Sequence, residues 1–232
     1  MSPIRRREFL KRAAAAVAAP YALTSTALGA VGRPPASERI VMGAIGVGNM
    51  GSGDMNAFLH AGRVQMAAVC DVDAQRRDRA KARVDERYGN TSCAAYSDFR
   101  KLLARGDLDA VTIGTPDHWH AIPVIEAAKA GLDMYCQKPL SLTVTEGRAM
   151  ADAVHRYGRV FQTGSQQRSG GQFRFACELV RSGRIGKVHT IIAADYPSPW
   201  EGRLPAQPVP EGLDWDMWCG PTEPVPYNID LF

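Results

Sequence analysis

Five apolar runs set the rhythm of the chain between residues 40 and 163. They fall at 40–46, 64–70, 109–114, 132–136 and 159–163, and their β-branched, apolar content reads as buried strands. The intervening stretches at 49–60, 73–88, 97–105, 118–130 and 143–157 read as helices. Start and stop signals agree with these bounds. Asp117 follows Pro116 just before one helical pattern, and Thr143-Val144-Thr145-Glu146 has capping-box spacing. Gly131 and Gly158 stand where two of the helices should end. Such alternation predicts right-handed crossovers and a doubly wound parallel sheet with helices on both faces.

After Gly164 the rhythm changes. A helix is expected over 171–182, with Phe173, Cys177, Leu179 and Val180 on its apolar face, and a strand over 187–194 with Asp195 just past its end. From 197 to 232 periodicity fades, prolines are frequent and three of the four tryptophans (Trp200, Trp215 and Trp218) appear. Residues 164–232 are therefore expected to open an α+β second domain that stops before its sheet is complete.

The N-terminus has a different character. Arg6-Arg7-Glu8-Phe9-Leu10-Lys11 resembles a bacterial twin-arginine export motif. The apolar stretch that follows, 13–23, is shorter than the roughly 20 residues of a membrane span, and small residues fill 26–30. Residues 1–30 are thus expected to be a signal peptide and 31–38 a linker. This implies the twin-arginine (Tat) export machinery as a partner and a periplasmic location.

Charge follows the same division. The chain has a formal net charge of +4, and the leader alone holds five basic residues against Glu8. The remainder carries no net charge, so a nucleic-acid footprint is not expected on the folded part. Five scattered cysteines show neither zinc spacing nor a dense disulfide framework, and no metal is expected.

Candidate chemistry begins in the first strand. Residues 40–51 read Ile-Val-Met-Gly-Ala-Ile-Gly-Val-Gly-Asn-Met-Gly. Gly46 permits a tight turn, Gly48 lets a pyrophosphate approach the backbone, and Gly51 allows close helix–strand packing. The N–H groups of Asn49, Met50 and their neighbours at the helix start would face the phosphates. Asp71 ends the next strand, where it would accept hydrogen bonds from ribose hydroxyls. With 22 glycines in the chain the spacing alone is weak, and its strand–turn–helix setting carries the reading. The fold expected is a Rossmann domain over 39–163. Asp71 favours NAD, because its charge would repel a 2′-phosphate, while Arg76 and Arg77 leave NADP open.

Three further strand ends hold unusual residues: Thr115-Pro116-Asp117-His118-Trp119-His120, Gln137-Lys138-Pro139, and Gly164-Ser165-Gln166-Gln167-Arg168. With the glycine turn, these resemble the Gfo/Idh/MocA oxidoreductase family over residues 39–195. The family's Thr-Pro-Asn-x-x-His carries Asp117 for Asn here, and its Glu-Lys-Pro carries Gln137 for Glu. The close around Trp215-Asp216-Met217-Trp218 resembles a subgroup with bacterial export leaders.

The resemblance implies a nicotinamide-dependent oxidoreductase that moves hydride to or from a sugar or polyol carbon. Lys138 and His120 would then be catalytic. The cofactor would be held by Gly46, Gly48, Asn49, Met50, Gly51, Asp71, Thr115, Pro116, His120 and Lys138. Gln166, Gln167 and Arg168 are candidates for substrate binding, or for a hinge between domains. Trp200, Trp215 and Trp218 would stack on sugars or pack internally. His118 reads as a capping or exposed residue. Two alternatives stand beside net oxidation: transient sugar oxidation that enables epimerisation or glycosidic cleavage, and a chain that only binds nucleotide. The family's second domain usually supplies an Asp-x-x-x-His pair and a pairing surface for homo-oligomers. No histidine follows His189, so a C-terminal truncation is expected.

Overall fold

The computed structural model describes residues 34–194 and 204–232. The proposed leader, Asp195 and Trp200 lie outside the described residues. The chain divides after Arg39. Before that point the described residues form one 3-10 turn, Ala36–Glu38, with Arg39 Nε donating to the Pro34 carbonyl at 2.8 Å.

From Ile40 onward, strands and helices alternate: β1 (Ile40–Ile45), α1 (Asn49–Leu59), β2 (Val64–Cys70), α2 (Ala74–Tyr88), β3 (Ala94–Tyr96), α3 (Phe99–Leu103) and β4 (Ala110–Ile113). A 3-10 turn at Asp117–Trp119 leads into α4 (Ala121–Lys129), followed by β5 (Asp133–Gln137), α5 (Val144–Tyr157) and β6 (Phe161–Gly164). A further 3-10 turn, Gln166–Ser169, precedes α6 (Gly171–Arg181). After the gap come α7 (Trp215–Cys219) and a last 3-10 turn, Ile229–Leu231.

Among the described residues six strands form one parallel sheet in the order β3-β2-β1-β4-β5-β6. The order reverses between β1 and β4, which opens a crevice at the carboxyl ends of these two strands. This is the doubly wound Rossmann sheet expected from the pattern.

Side-chain alternation along the strands divides the core. Met42, Ala44, Met66 and Val69 face α1 and α2, where Met55, Leu59, Ala80 and Val84 meet them. Ile45, Val111, Ile113, Met134 and Cys136 face the other way, against Phe99, Leu102, Val124, Ala128 and Met150 of α3, α4 and α5. The caps hold helix ends in register with the strand ends. Asp73 accepts the N–H groups of Gln75 and Arg76 at the start of α2. Thr143 and Glu146 form the reciprocal capping box of α5, which ends at Gly158 in the left-handed region.

Two differences from the sequence expectation stand out. The strand β3 arises at 94–96, where three residues between turn signals were too short to show a period. The strand expected at 187–194 does not form; Ile191 and Ile192 are 85% and 89% exposed. A strand needs a neighbouring ladder, and the described residues offer that segment none. Residues 204–232 lie against the sheet's carboxyl edge. Ala74 N–H donates to Gly212 O at 2.9 Å, and Asp214 N–H donates to Val72 O at 3.2 Å.

Candidate functional site

The glycine turn is the floor of the crevice. Gly46 adopts φ 74°, a conformation that side chains disfavour, and its N–H donates to the Cys70 carbonyl at 2.8 Å. A Cβ there would lie 2.6 Å from the Thr115 nitrogen. A Cβ on Gly51 would run into the Gly46 carbonyl oxygen. Three backbone segments, from the β1 turn, the start of α1 and Gly114 after β4, therefore touch with no side chain between them. Gly48 lies beneath the Arg76 guanidinium, whose Nη1 would be 3.2 Å from an added Cβ.

Asp71 stands one residue past β2. Its Oδ2 accepts the Val47 N–H at 2.8 Å, and its Oδ1 accepts the Asp73 N–H at 2.9 Å. Burial pushes its carboxyl above the usual range, against the pull of those two N–H donors and of Arg76. Each oxygen keeps a lone pair for a ligand hydroxyl.

A cavity of about 300 Å³ opens above this floor. Of the residues expected to hold a cofactor, Gly46, Gly48, Asn49, Asp71, Thr115 and Pro116 line it. Thr115 Oγ1 is buried and has no hydrogen-bond partner among the described residues. The other walls combine Arg76 and Ser97 with aromatic and apolar side chains, Phe99 of α3, Trp119 of the 3-10 turn, and Met217 and Trp218 of residues 204–232. A nucleotide fits this set: a glycine turn packed so closely that Gly46 and Gly51 have no room for a Cβ, a carboxylate for ribose hydroxyls and an orphan hydroxyl on the third side.

The second constellation is at the end of β5. Gln137 is buried, while Lys138 is exposed and joined to Pro139 by a cis peptide bond. Gln137 Nε2 donates to Asp54 Oδ2 of α1 at 2.7 Å, and Gln137 Oε1 accepts the Lys138 N–H at 3.0 Å. His120 is fully buried. Its Nδ1 is 2.7 Å from the Pro139 carbonyl oxygen, and its Nε2 is 2.9 Å from that of Thr115.

Residues 40–165 match the oxidoreductase family with an NAD-binding Rossmann fold, GFO_IDH_MocA. The chain belongs to the Gfo/Idh/MocA family. A glycosyl hydrolase family 109 protein of Shewanella baltica and an alpha-N-acetylgalactosaminidase of Shewanella oneidensis are each 30% identical over 207 residues. Each alignment covers 81% of this chain and 45% of the relative, so the chain spans less than half the length of these relatives. Among solved structures, myo-inositol 2-dehydrogenase from Lactobacillus plantarum is 27% identical with a TM-score of 0.57, covering 65% of this chain and 43% of that one. Scyllo-inositol dehydrogenase from Lactobacillus casei, solved with NAD(H) and scyllo-inositol, has the same fold at a TM-score of 0.56 and 24% identity, over 64% of this chain and 42% of that one.

Within a Gfo/Idh/MocA Rossmann domain the predicted site residues sort by depth. Gly51 supports the floor from below, and Met50, 48% exposed, does not line the cavity. His120 has no exposed surface and both ring nitrogens against backbone carbonyls, between the Thr115 turn and the Lys138 loop. Lys138 is on that loop, outside the cavity lining. Gln166 Oε1 is buried without a partner among the described residues, whereas Gln167 and Arg168 are exposed. His118 is neither a cap nor free: its Nε2 is 2.8 Å from the Trp218 carbonyl oxygen. Ser97, Phe99, Trp119 and Met217, none of them in the expected site, also line the cavity. The strand-end rule would have found Ser97 and Phe99 had β3 been recognised. Among the described residues no group of His, Cys, Asp or Glu could hold a metal ion, and no helix is long and apolar enough to cross a membrane.

Proposed function

We propose that this chain is the cofactor-binding part of an exported, NAD-dependent oxidoreductase acting on a hydroxyl-bearing carbon of a sugar or polyol. The observation that carries this reading is the meeting of the glycine floor, Asp71 and the orphan Thr115 hydroxyl in one crevice. When bound, NAD supplies a hydride acceptor at its nicotinamide. Asp71 accepts the adenosine ribose hydroxyls, and its charge disfavours a 2′-phosphate. Beyond the switch point, β5 delivers Lys138 on the loop fixed by Gln137 and His120. There Lys138 would hydrogen-bond the reacting hydroxyl and assist the departure of its proton. His120 acts through position, by holding the two loops together. Gln166, Gln167 and Arg168, just past the end of β6, are the candidates to meet a sugar hydroxyl.

The Arg6-Arg7 leader supports export by the twin-arginine route. That route carries folded proteins, so NAD would be loaded before export and regenerated within each turnover. We also read residues 164–194 as the opening of the substrate-side domain, which in a longer chain would support homo-oligomers. A redox-neutral reading has its own support, since a relative 30% identical to this chain is named as an alpha-N-acetylgalactosaminidase. In that case oxidation at one sugar carbon is transient and a glycosidic bond is broken before hydride returns.

The test is direct. The purified chain is denatured and searched for nicotinamide dinucleotide by mass spectrometry, and the emptied chain is titrated with NAD by calorimetry. Failure of both measurements would sink the reading. A panel of polyols and para-nitrophenyl glycosides then separates the two chemistries: net NADH formation marks oxidation, and nitrophenol release without it marks the redox-neutral route. Lys138→Ala should stop either reaction.

A further inference from the structure

The family match ends at residue 165, yet residues far beyond it wall the nucleotide cavity. The closing segment reaches it by crossing the carboxyl edge of the sheet. On one side it is fastened to the end of β2. Asp73 and Leu213 form an isolated antiparallel bridge, flanked by the Ala74–Gly212 and Asp214–Val72 backbone bonds. On the other side it is fastened to the turn after β4. Trp119 Nε1 donates to the carbonyl oxygens of Met217 and Trp218, each at 3.0 Å, and the His118 ring meets the Trp218 carbonyl. Gly220 stands where any Cβ would enter the Trp119 indole.

The segment is also ordered within itself. Asp214 caps α7 by accepting the Met217 N–H at 2.9 Å. Trp215 and Trp218 stack with ring centroids 4.4 Å apart and planes 9° from parallel. Tyr227, 4% exposed, meets Trp215 edge-on, and Trp215 Nε1 donates to the Val225 carbonyl at 2.7 Å. The Trp218 indole is thus held on one face by Trp215 while its residue lines the cavity.

The span between β2 and β4 covers one half of the crevice. Asp71 marks that half as the one for the adenosine ribose, because it follows β2. The base attached to that ribose would enter a space lined by Phe99, Trp119, Met217 and Trp218. Aromatic faces and a polarisable thioether suit a flat purine, which offers two π-faces and little charge.

We infer that residues 213–232 are the adenine-binding wall of the cofactor site, with the Trp218 indole and the Met217 thioether against the purine. This rests on the nucleotide assignment of the crevice and extends it to residues that the family match does not reach.

The probes are etheno-adenine ADP-ribose, which is fluorescent and is quenched on stacking with indole, and nicotinamide mononucleotide, which lacks adenine. Both are titrated into the full chain and into its Trp218→Leu, Trp218→Phe and Met217→Ala variants, with thermal unfolding checked in parallel. Trp218→Leu should bind etheno-ADP-ribose about tenfold more weakly and lose the quenching, with nicotinamide mononucleotide unaffected. Trp218→Phe should recover most of the affinity, and Met217→Ala, which keeps its backbone carbonyl contact, should lose about threefold. Unchanged affinity and quenching in folded Trp218→Leu and Met217→Ala would overturn the inference. So would tighter binding, which would make the segment a competitor of the base. A wild-type chain that binds neither NAD nor etheno-ADP-ribose overturns the nucleotide reading as well, and is recognised because it precedes any variant.

Discussion

Gln137 and Asp54 are joined by a 2.7 Å hydrogen bond from the buried amide to the carboxylate, across the space between β5 and α1. The amide's other end holds the Lys138 N–H, so one side chain links α1 to the loop that carries this lysine. The family pattern has a glutamate at position 137. Here the carboxylate stands one helix away and the amide stands between.

Burial raises the Asp54 carboxyl above its ordinary value of 3.8, and the Gln137 bond only partly offsets this. A carboxyl raised in the folded state binds its proton more tightly there, so stability falls as pH rises from 3.8 through the folded value. Asp54→Asn keeps an oxygen to accept from Gln137 and removes the titration. Thermal unfolding of both proteins across that window should show the variant losing less stability with rising pH. Parallel curves would refute the assignment.

Gln137→Glu restores the family residue but sets a second carboxylate against Asp54. At neutral pH it should destabilise the chain by about 1–3 kcal/mol, since the Asp54 acceptor loses its donor beside a like charge. Combined with Asp54→Asn, the same change should cost much less. A double-mutant cycle measured by urea unfolding reads the coupling directly, and additive effects would show that the two sites do not interact.

Gly51→Ala adds one methyl group where the Gly46 carbonyl already stands. Overpacking of this kind costs about 1–3 kcal/mol. NAD affinity should fall by more than that stability loss explains, because relief requires the phosphate-facing turn to move. Gly53→Ala, on the same helix but with open space at its Cβ position, is the control and should be neutral or slightly stabilising.

Four of the five free thiols are buried, and Cys177 on α6 is exposed. Burial pushes the thiols of Cys70 and Cys136 up to about 12 and that of Cys93 up to about 11. Alkylation of the folded chain near neutral pH should therefore label Cys177 alone on a short timescale, with the rest reacting after denaturation. Early labelling of Cys70, which borders the cavity, would show that the sheet's carboxyl edge opens.

What could be read in advance follows from how local each signal is. The turn at Gly46, Asp71 at the end of β2 and the Thr143 capping box are written in residues close together, and each stands where the pattern put it. The two carbonyl partners of His120 are not legible in advance, because they are set by the folded path of two loops. Met217 and Trp218 reach Trp119 across 98 and 99 residues, and no periodicity reports such a contact. The 187–194 segment has a strand's composition, yet pairing is a property of two segments and the described residues provide one.

The three-way backbone contact of Gly46, Gly51 and Gly114 leaves the pocket with a floor that substitution cannot retune. Divergence in cofactor preference must be written in the walls instead. Arg76, Ser97 and Met217 have side chains to exchange, and they come from α2, the turn after β3 and the closing segment. A search for changed specificity, by nature or by design, would leave the glycines alone and vary those three positions.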